Sequence, residues 1–448
     1  MITWRPVAAL GVLLLTLPLW SLPWLGLLLY LVLVGAVCLA DAMMAAPLDR
    51  LAMWRSGDKM VRLTGTATVT LHVRNDGPRT LYGALHDSWV PSAGATPASH
   101  PVTLPPGKAR ELVTTLTPTR RGDRPAVRVT VRSYGPMRLA YRQTPRTRAD
   151  RVSPPWTLRV LPRFDSRRHL SEKYSRLRVL EGAVAARGRG RGSEFDSLRE
   201  YVIGDDIRSI DWRASARRES VIVKTWRPER DRRVVCVLDT GRTSAVQVGD
   251  ANGGGLAEPR LDAAIDAALL LSAVAARAGD RVDALAVDTE VRAVIEGGSR
   301  RGLLPKLVRA LAPLQPALVE TDFGLVVAEV LKREAKRALV VIFTSLEPGA
   351  IAESLLPALP QLSSRHKVIV AAVSDPVIAR MRTRRGYGDG DPMDVAYQAA
   401  AAEKSLVERR RVAASLVRYG VEVVDQPADV FASKVTDAYL ALKASGRL

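Results

Sequence analysis

The feature that most constrains this chain is a stretch of 35 residues near its start, residues 6–40, that contains no charged side chain. An apolar helix needs about 20 residues to cross a bilayer, so this stretch is too long for one simple span. Pro18 and Pro23 interrupt it near the middle, and proline ends or kinks a helix. The sequence therefore predicts two short transmembrane helices, residues 7–19 and 24–40, in a helical hairpin that spans residues 1–45.

The charges that flank this hairpin predict its orientation. Arg5 precedes it, and Arg50, Arg55, Lys59 and Arg62 follow it. Because basic residues concentrate on the cytoplasmic side, two spans place both termini and the soluble region in the cytoplasm. We therefore expect a multi-pass protein of the inner (plasma) membrane. Two alternatives stay open: a single span, which would put the soluble region outside, and a cleaved signal peptide, for which the stretch is long.

The charge and the cysteine content of the chain limit the kinds of partner and metal site that it can have. The formal net charge is +20, which is typical either of nucleic-acid binding or of a position beside an anionic lipid leaflet. Aromatic residues make up only 5% of the chain, so few side chains are available to stack on bases, and the membrane-side interpretation is favoured. Cys38 and Cys236 predict neither a disulfide framework nor a zinc site.

The part of the chain behind the hairpin has the pattern of an α/β protein in three segments. Residues 58–162 carry short alternating runs with Pro and Gly turns, which indicates a β-rich, sandwich-like domain. Residues 163–230 form a basic connector that includes an amphipathic helix and an alternating Gly-Arg run. Residues 231–448 alternate apolar strands with helices, which predicts a doubly wound parallel sheet.

The most distinctive segment, residues 192–217, alternates acidic and basic side chains with single large apolar ones. Arginine–carboxylate pairs are often bidentate and demand accurate geometry, so the segment is predicted to form a rigid network of ion pairs and hydrogen bonds. Its candidate interaction residues are Glu194, Arg199, Tyr201, Asp205, Arg208, Asp211, Trp212, Ser215 and Arg217.

The segment resembles the signature of the bacterial domain of unknown function 58 family, which reads roughly G-x-E-F-x-x-L-R-x-Y-x-x-G-D-x-x-R-x-I-D-W-x-x-S-A-R. Besides the candidate interaction residues, the matching positions are Gly192, Phe195, Leu198, Gly204, Ile210 and Ala216. The resemblance implies a membrane-anchored protein in which residues 231–448 form a von Willebrand factor A-like, Rossmann-like domain. It also implies a MoxR-type AAA+ ATPase as a partner.

The same resemblance implies a candidate cation site, because von Willebrand factor A-like domains often carry a metal-ion-dependent adhesion site. Hydroxyl and carboxylate oxygens are the ligands that Mg²⁺ prefers. Asp239, Thr243 and Thr321 match that pattern, whereas Gly241 and Ser345 stand where a serine and an aspartate are expected. The site is therefore degenerate, with Mg²⁺ as a candidate cofactor. The alternative is that these are polar loop residues at strand ends.

No pair of nucleophile and general base stands out in the sequence, so no catalytic residue is predicted and we expect that the chain is not an enzyme. The leading hypothesis is a membrane-anchored protein-interaction scaffold that works with a MoxR-type AAA+ ATPase in assembly or maturation of other proteins. One alternative is a membrane-associated metal-dependent hydrolase that uses Asp205, Asp206 or Asp211. Another is nucleic-acid binding through the basic surface.

Overall fold

A computed structural model of the chain describes residues 3–15, 23–145, 147, 153–187, 194–203, 205–217, 220–227, 232–249, 258–297, 302–383 and 392–448. The chain divides into two compact units, Met1–Arg163 and Phe164–Leu448. Each unit has its own β-sheets and its own apolar core.

The first unit opens with two apolar helices, α1 (Trp4–Leu14) and α2 (Pro23–Met44). The 22 residues of α2 extend for about 33 Å, and this helix is long and apolar enough to cross a membrane. The 11 residues of α1 extend for only about 16 Å, about half of a hydrocarbon core. Of the two predicted spans, only the second is thus matched by a helix of sufficient length among the described residues. The end of the predicted first span falls in residues 16–22, outside the described residues.

One buried carboxylate fixes the end of α2 to the β-strands of the same unit. Asp41 accepts hydrogen bonds from the backbone N–H groups of Met137, Leu139 and Ala140 at 2.8, 2.8 and 2.9 Å. The start of α1 reaches the same turn, because the Thr3 N–H donates to the Leu139 carbonyl at 2.9 Å. The two helices therefore run antiparallel, with the start of α1 and the end of α2 at one turn, residues 135–140.

The rest of the first unit is a sandwich of two facing sheets. Its strands are β1 (Leu51–Gly57), β2 (Met60–Arg62), β3 (Ala67–Asn75), β4 (Leu81–Trp89), β5 (Ala95–Thr96), β6 (Ser99–Leu104), β7 (Ala109–Leu116), β8 (Gly122–Tyr134), β9 (Tyr141–Gln143) and β10 (Thr157–Leu161). The sheet orders are β1-β3-β7-β5 and β2-β10-β8-β4-β6, with β9 beside β8. Leu71 of one sheet shares a core with Leu85 and Val131 of the other. The predicted inward alternation along β3 is confirmed.

The second unit contains the remaining elements. It begins with α3 (Leu170–Arg187), the amphipathic helix predicted in the connector, and continues with the antiparallel pair β11 (Glu194–Glu200) and β12 (Ile222–Arg227). The later strands are β13 (Arg233–Asp239), β14 (Gln247–Val248), β15 (Glu258–Pro259), β16 (Arg281–Val287), β17 (Val291–Ile295), β18 (Leu339–Thr344), β19 (Lys367–Ser374) and β20 (Glu422–Pro427). The later helices are α4 (Arg260–Arg277), α5 (Leu303–Leu311), α6 (Phe323–Arg333), α7 (Leu356–Ser363), α8 (Pro376–Thr383), α9 (Pro392–Arg418) and α10 (Ala428–Ala444).

Six of these strands form one sheet in the order β17-β16-β13-β18-β19-β20. The pairing of β17 with β16 is antiparallel and the other pairings are parallel. Val235 and Val237 of β13 face a core that includes Phe323 of α6, whereas Cys236 faces the opposite way and lies 4.0 Å from Ser272 of α4. Helices thus cover both faces, and the predicted mixed α/β architecture is confirmed.

The segment predicted as a basic connector packs within this second unit. The buried Lys173 ammonium donates to Asp437 of α10 at 2.7 Å. Just before α3, the Ser166 N–H lies 3.3 and 3.2 Å from the two carboxylate oxygens of Asp266 on α4. Burial raises the pKa of Asp266 to about 6 and outweighs the opposing effect of these hydrogen bonds.

Candidate functional site

The first candidate site lies where β13 and β18 end side by side in the sheet. Asp239 is the last residue of β13 and is buried. Its Oδ1 accepts hydrogen bonds from the Gly241 N–H at 2.8 Å and the Thr321 hydroxyl at 2.5 Å. Its Oδ2 accepts from the hydroxyls of Thr243 at 3.0 Å and Thr344 at 2.6 Å. Four donors from this chain therefore surround one carboxylate. We call these five residues the strand-end cluster.

The parallel strands explain why these side chains meet. Because β13 and β18 are neighbours with the same direction, Asp239 and Thr344 reach the same edge of the sheet. Thr243 lies in a short 3₁₀ turn just after β13. Thr321 precedes Asp322, whose carboxylate caps α6 by accepting the Leu325 N–H at 3.0 Å. The three residues predicted for the cation site are thus brought together, and Thr344 joins them although sequence reasoning did not select it.

A second buried acid lies at the end of the neighbouring strand β16. Asp288 accepts hydrogen bonds from the Thr240 hydroxyl at 3.0 Å, the Arg292 guanidinium at 2.7 Å and the Glu290 N–H at 3.1 Å. Burial acts to raise its pKa, but these hydrogen bonds and the Arg292 charge outweigh burial, and the pKa lies below its ordinary value. This carboxylate is therefore ionised and paired within the chain.

The strand-end cluster does not fit an open magnesium site. A serine at position 241 would place its Cβ in overlap with the Thr321 hydroxyl and 2.8 Å from the Val319 carbonyl, so there is no room for the expected ligand. Ser345, where the resemblance expects an aspartate, is buried and has no hydrogen-bond partner among the described residues. Within the described ranges, no group of three or more His, Cys, Asp or Glu side chains could hold a metal ion. The donor set matches a carboxylate satisfied by its own chain.

The cationic residue beside the strand-end cluster has a partner as well. Arg242, which places a positive charge there in the sequence, forms an exposed ion pair with Glu320 at 2.5 Å. Because exposed pairs of this kind contribute little to stability, we assign it no structural role beyond offsetting charge.

The second candidate site is the signature segment, which folds as a hairpin built on β11 and β12. Arg199 of β11 donates to Asp205 at 2.5 Å, and the other Asp205 oxygen accepts the Val202 N–H at 2.9 Å. The Tyr201 N–H donates to the Val221 carbonyl at 2.8 Å, which closes the strand pair. The hydrogen bond with Asp205 raises the pKa of Arg199, so the pair stays charged.

The other acidic signature residues cap short helical turns. Asp206 accepts the Arg208 N–H, and Asp211 accepts the Arg213 and Ala214 N–H groups, each at 3.0 Å. Asp211 also pairs with the Lys224 ammonium at 3.2 Å. The Ala214 N–H, followed by Lys224, holds the pKa of Asp211 below its usual range.

Ser215 joins the two sides of the hairpin. Its hydroxyl donates to the Asp211 carbonyl and accepts the Ile222 N–H, both at 2.8 Å. The predicted network of ion pairs and hydrogen bonds includes the ion pairs Arg199–Asp205 and Lys224–Asp211. Asp206 and Asp211 also accept backbone N–H groups, a role that depends on local backbone geometry. The side chain of Glu194, together with Gly192 and Gly204, lies outside the described part of the chain.

The tip of this hairpin exposes large apolar side chains beside unpaired arginines. Ile203 is 96% exposed and Trp212 is 68% exposed, and Ile207 is exposed between them in the chain. Among the residues that the structure describes, the guanidinium groups of Arg208, Arg213 and Arg217 form no ion pair. We call these six residues the hairpin tip. Sequence reasoning selected the tryptophan and two of the arginines but missed the exposed isoleucines, although the position of Ile207 between Asp206 and Arg208 is a visible signal.

The two candidate sites and the fold define a class: a chain with an apolar N-terminal helix able to span a bilayer and an α/β unit that contains a hydrogen-bonded hairpin. Residues 197–382 match the model of the family described as "Protein of unknown function DUF58", so this region of the chain belongs to that family. The match covers β12, part of β11 and the sheet through β19.

Curated relatives show the same limited overlap. The chain is 27% identical over 189 residues to "Uncharacterized protein Mb1516" of Mycobacterium bovis and to "Uncharacterized protein Rv1480" of Mycobacterium tuberculosis. Each match covers 42% of this chain and 56% of the relative. Among solved structures, the CARDB domain of the PF1109 protein from Pyrococcus furiosus matches 26% of this chain and 94% of that domain at 15% identity. Its TM-score of 0.19 is too low to establish a shared fold.

Proposed function

We propose that this chain is a membrane-anchored, non-enzymatic scaffold that docks another protein through the hairpin tip. The observation that carries the proposal is the exposed pair Ile203 and Trp212 on a hairpin whose acidic side chains are used to hold it in shape. Exposed large apolar side chains accompanied by arginine are typical of protein interaction sites, where Trp and Arg contribute much of the binding energy.

The membrane anchor in this proposal is the α1–α2 hairpin, with both ends and the soluble region in the cytoplasm. The length and apolar character of α2 support anchoring. The contacts of Thr3 and Asp41 with one turn support the view that the chain enters and leaves the bilayer on the same side. The basic flanks favour the cytoplasm for that side.

The proposed partner is a MoxR-type AAA+ ATPase, and the proposed role is assembly or maturation of other proteins. This part of the proposal comes from the family resemblance of the signature. We also propose that the second unit is a von Willebrand factor A-like domain. Its strand order, with β16, β13, β18, β19 and β20 parallel and β17 antiparallel at the edge, supports that assignment.

The alternative of a metal-dependent hydrolase gains little support from these contacts. Asp205, Asp206 and Asp211 each hold backbone N–H groups or pair with a cation, so each has a structural use. Replacing Asp205 or Asp211 by Asn in a hydrolase would abolish turnover while leaving the fold intact. In the scaffold, the same changes loosen the hairpin.

Co-purification of the full chain with its partner tests the proposal. The variants Ile203→Asp and Trp212→Ala are compared with Val179→Asp, a matched control at an exposed apolar residue on α3 of the same unit. Loss of an interaction hot spot costs about 2 kcal/mol or more, so each tip variant should retain the AAA+ ATPase roughly thirtyfold less well. Equal retention by wild type, tip variants and control excludes the tip as the docking surface. Absence of any AAA+ ATPase from the wild-type complex excludes the partner.

A further inference from the structure

The arginines around the turn of residues 135–140 form a second charged surface, which belongs to the first unit. This turn holds the end of α2 through Asp41 and the start of α1 through Thr3. Its position relative to a bilayer is therefore set by the helices, so a role for these arginines at the lipid surface rests on the proposed membrane anchoring.

The length of α2 fixes the depth of the turn. A helix of 22 residues spans about 33 Å, and the hydrocarbon core of a bilayer is about 30 Å thick. Asp41 lies three residues before the end of α2 at Met44, so its carboxylate is at the boundary between hydrocarbon and headgroups. The three N–H groups that bind Asp41 belong to the turn, which places residues 137–140 in the headgroup layer.

Four exposed arginines surround this boundary, and we call Arg5, Arg79, Arg138 and Arg142 the arginine collar. Three of them are positioned by donating one N–H each to a nearby backbone carbonyl. Arg79 donates to Met43 at 2.6 Å, Arg142 to Ala42 at 2.8 Å and Arg5 to Met137 at 3.4 Å. A guanidinium group has five N–H donors, so these contacts orient the group and leave donors for a ligand.

The charge of this surface is strongly positive. Asp41 is fully buried and is used by the turn, and Asp49 is an exposed carboxylate that lines a cleft together with Arg142. Exposed apolar side chains accompany the charges, with Trp4 74% and Met137 57% exposed. A tryptophan and a flexible apolar side chain beside arginines are the composition of a membrane interface.

A cleft beside the end of α2 offers a place for a headgroup. Its volume is about 560 Å³, and its lining includes Ala42, Leu48, Asp49, Tyr141 and Arg142. The Arg142 guanidinium supplies planar donors that match phosphate oxygens, while Leu48 and Ala42 supply apolar contacts of the kind that an acyl chain needs near its glycerol end.

We propose that the arginine collar binds the phosphate headgroups of anionic phospholipids on the side of the membrane that carries the β-sandwich. Arg142 and the cleft hold one headgroup, and Arg5, Arg79 and Arg138 extend the contact around the helix ends. Each basic residue near an anionic surface contributes about fivefold in binding. The collar therefore recruits a ring of anionic lipid around the anchor, and it does so independently of the partner that the hairpin tip docks.

The full chain in lipid vesicles tests this site. Electron paramagnetic resonance of spin-labelled lipids gives the association of phosphatidylglycerol with the protein relative to phosphatidylcholine. We expect a marked preference for phosphatidylglycerol in the wild type. Arg138→Gln should lower this preference by up to about fivefold, and the double variant with Arg142→Gln should lower it further, while Arg5 and Arg79 retain part of it. Arg138 has no described side-chain contact, so its replacement leaves the fold intact.

The control is Arg120→Gln, an exposed arginine beyond the opposite end of β8, a strand of 13 residues and about 40 Å. An equal fall in the control variant, or no preference in the wild type, overturns the collar proposal. An equal preference for zwitterionic phosphatidylethanolamine also overturns it, because charge would then play no part. If the chain does not insert into vesicles, the proposed membrane anchor is contradicted. If it inserts but shows no lipid preference, only the collar proposal is contradicted, and the proposals of anchoring and partner docking still stand.

Discussion

Replacement of Asp41 tests the joint between α2 and the β-sandwich most directly. Its carboxylate accepts three backbone N–H groups from the turn of residues 135–140, and it is fully buried. In Asp41→Asn, one oxygen becomes an NH₂ group that faces a donor, so one N–H of the turn stays unsatisfied. An unsatisfied buried donor costs about 1–3 kcal/mol. In Asp41→Ala all three N–H groups lose their acceptor, and the cost should be roughly two to three times larger.

Backbone hydrogen exchange of the full chain in lipid nanodiscs measures this loss of local stability at the amides of the turn itself. A loss of about 1–3 kcal/mol speeds local exchange about 5- to 150-fold, so the amides of Met137, Leu139 and Ala140 should exchange faster by that factor in Asp41→Asn. They should exchange faster still in Asp41→Ala. Asp49→Asn, at an exposed carboxylate, should leave these amides at the wild-type rate. Wild-type exchange in Asp41→Ala would refute the view that this carboxylate joins the two parts.

Three further changes probe the second unit. Burial raises the pKa of Asp266 from 3.8 to about 6, so the native state binds its proton more tightly than the unfolded state does. The wild type therefore loses stability as the pH rises from about 4 to 6. In denaturant unfolding, the free energy of unfolding of Asp266→Asn should exceed that of the wild type by at most about 3 kcal/mol at pH 8. At pH 4 the two free energies should be equal. Gly241→Ser should cost about 1–3 kcal/mol by overpacking against Thr321, seen as a lower Tm, and a wild-type Tm would contradict the packing described. Adding Mg²⁺ or a chelator should leave the Tm unchanged, whereas a rise with Mg²⁺ would show that the strand-end cluster binds the ion.

Regular elements of this chain follow closely from local patterns. The apolar runs that end at Asp239, Asp288 and Phe343 predict neighbouring strands, because buried parallel strands are apolar on both faces. The three predicted cation-site residues meet for the same reason, since strand ends gather at one edge. Thr344 could have been added by the same logic, as the next residue after Phe343.

Contacts between distant segments were not accessible from the sequence. Asp41 meets partners that are 96–99 positions later in the chain, and nothing in the local pattern around either partner indicates the other. The alternating charges of the signature favour ion pairs and hydrogen bonds, and Arg199–Asp205 is one such ion pair. Asp206 and Asp211 instead accept backbone N–H groups, so the guanidinium groups of neighbouring arginines such as Arg208 and Arg213 are not bound by them in the described part of the chain. That choice depends on the turn geometry after β11, which residue types alone do not determine.

The distance in sequence between Asp41 and its turn sets an order of events during synthesis. At about 5–20 residues per second, a ribosome needs roughly 5–20 seconds to add the residues that separate them. Until then the Asp41 carboxylate lacks the three N–H groups that it binds in the folded chain. Only after β8 and the turn are synthesised can α2 be joined to the β-strands, so a polypeptide cut before residue 137 would contain α2 without this joint.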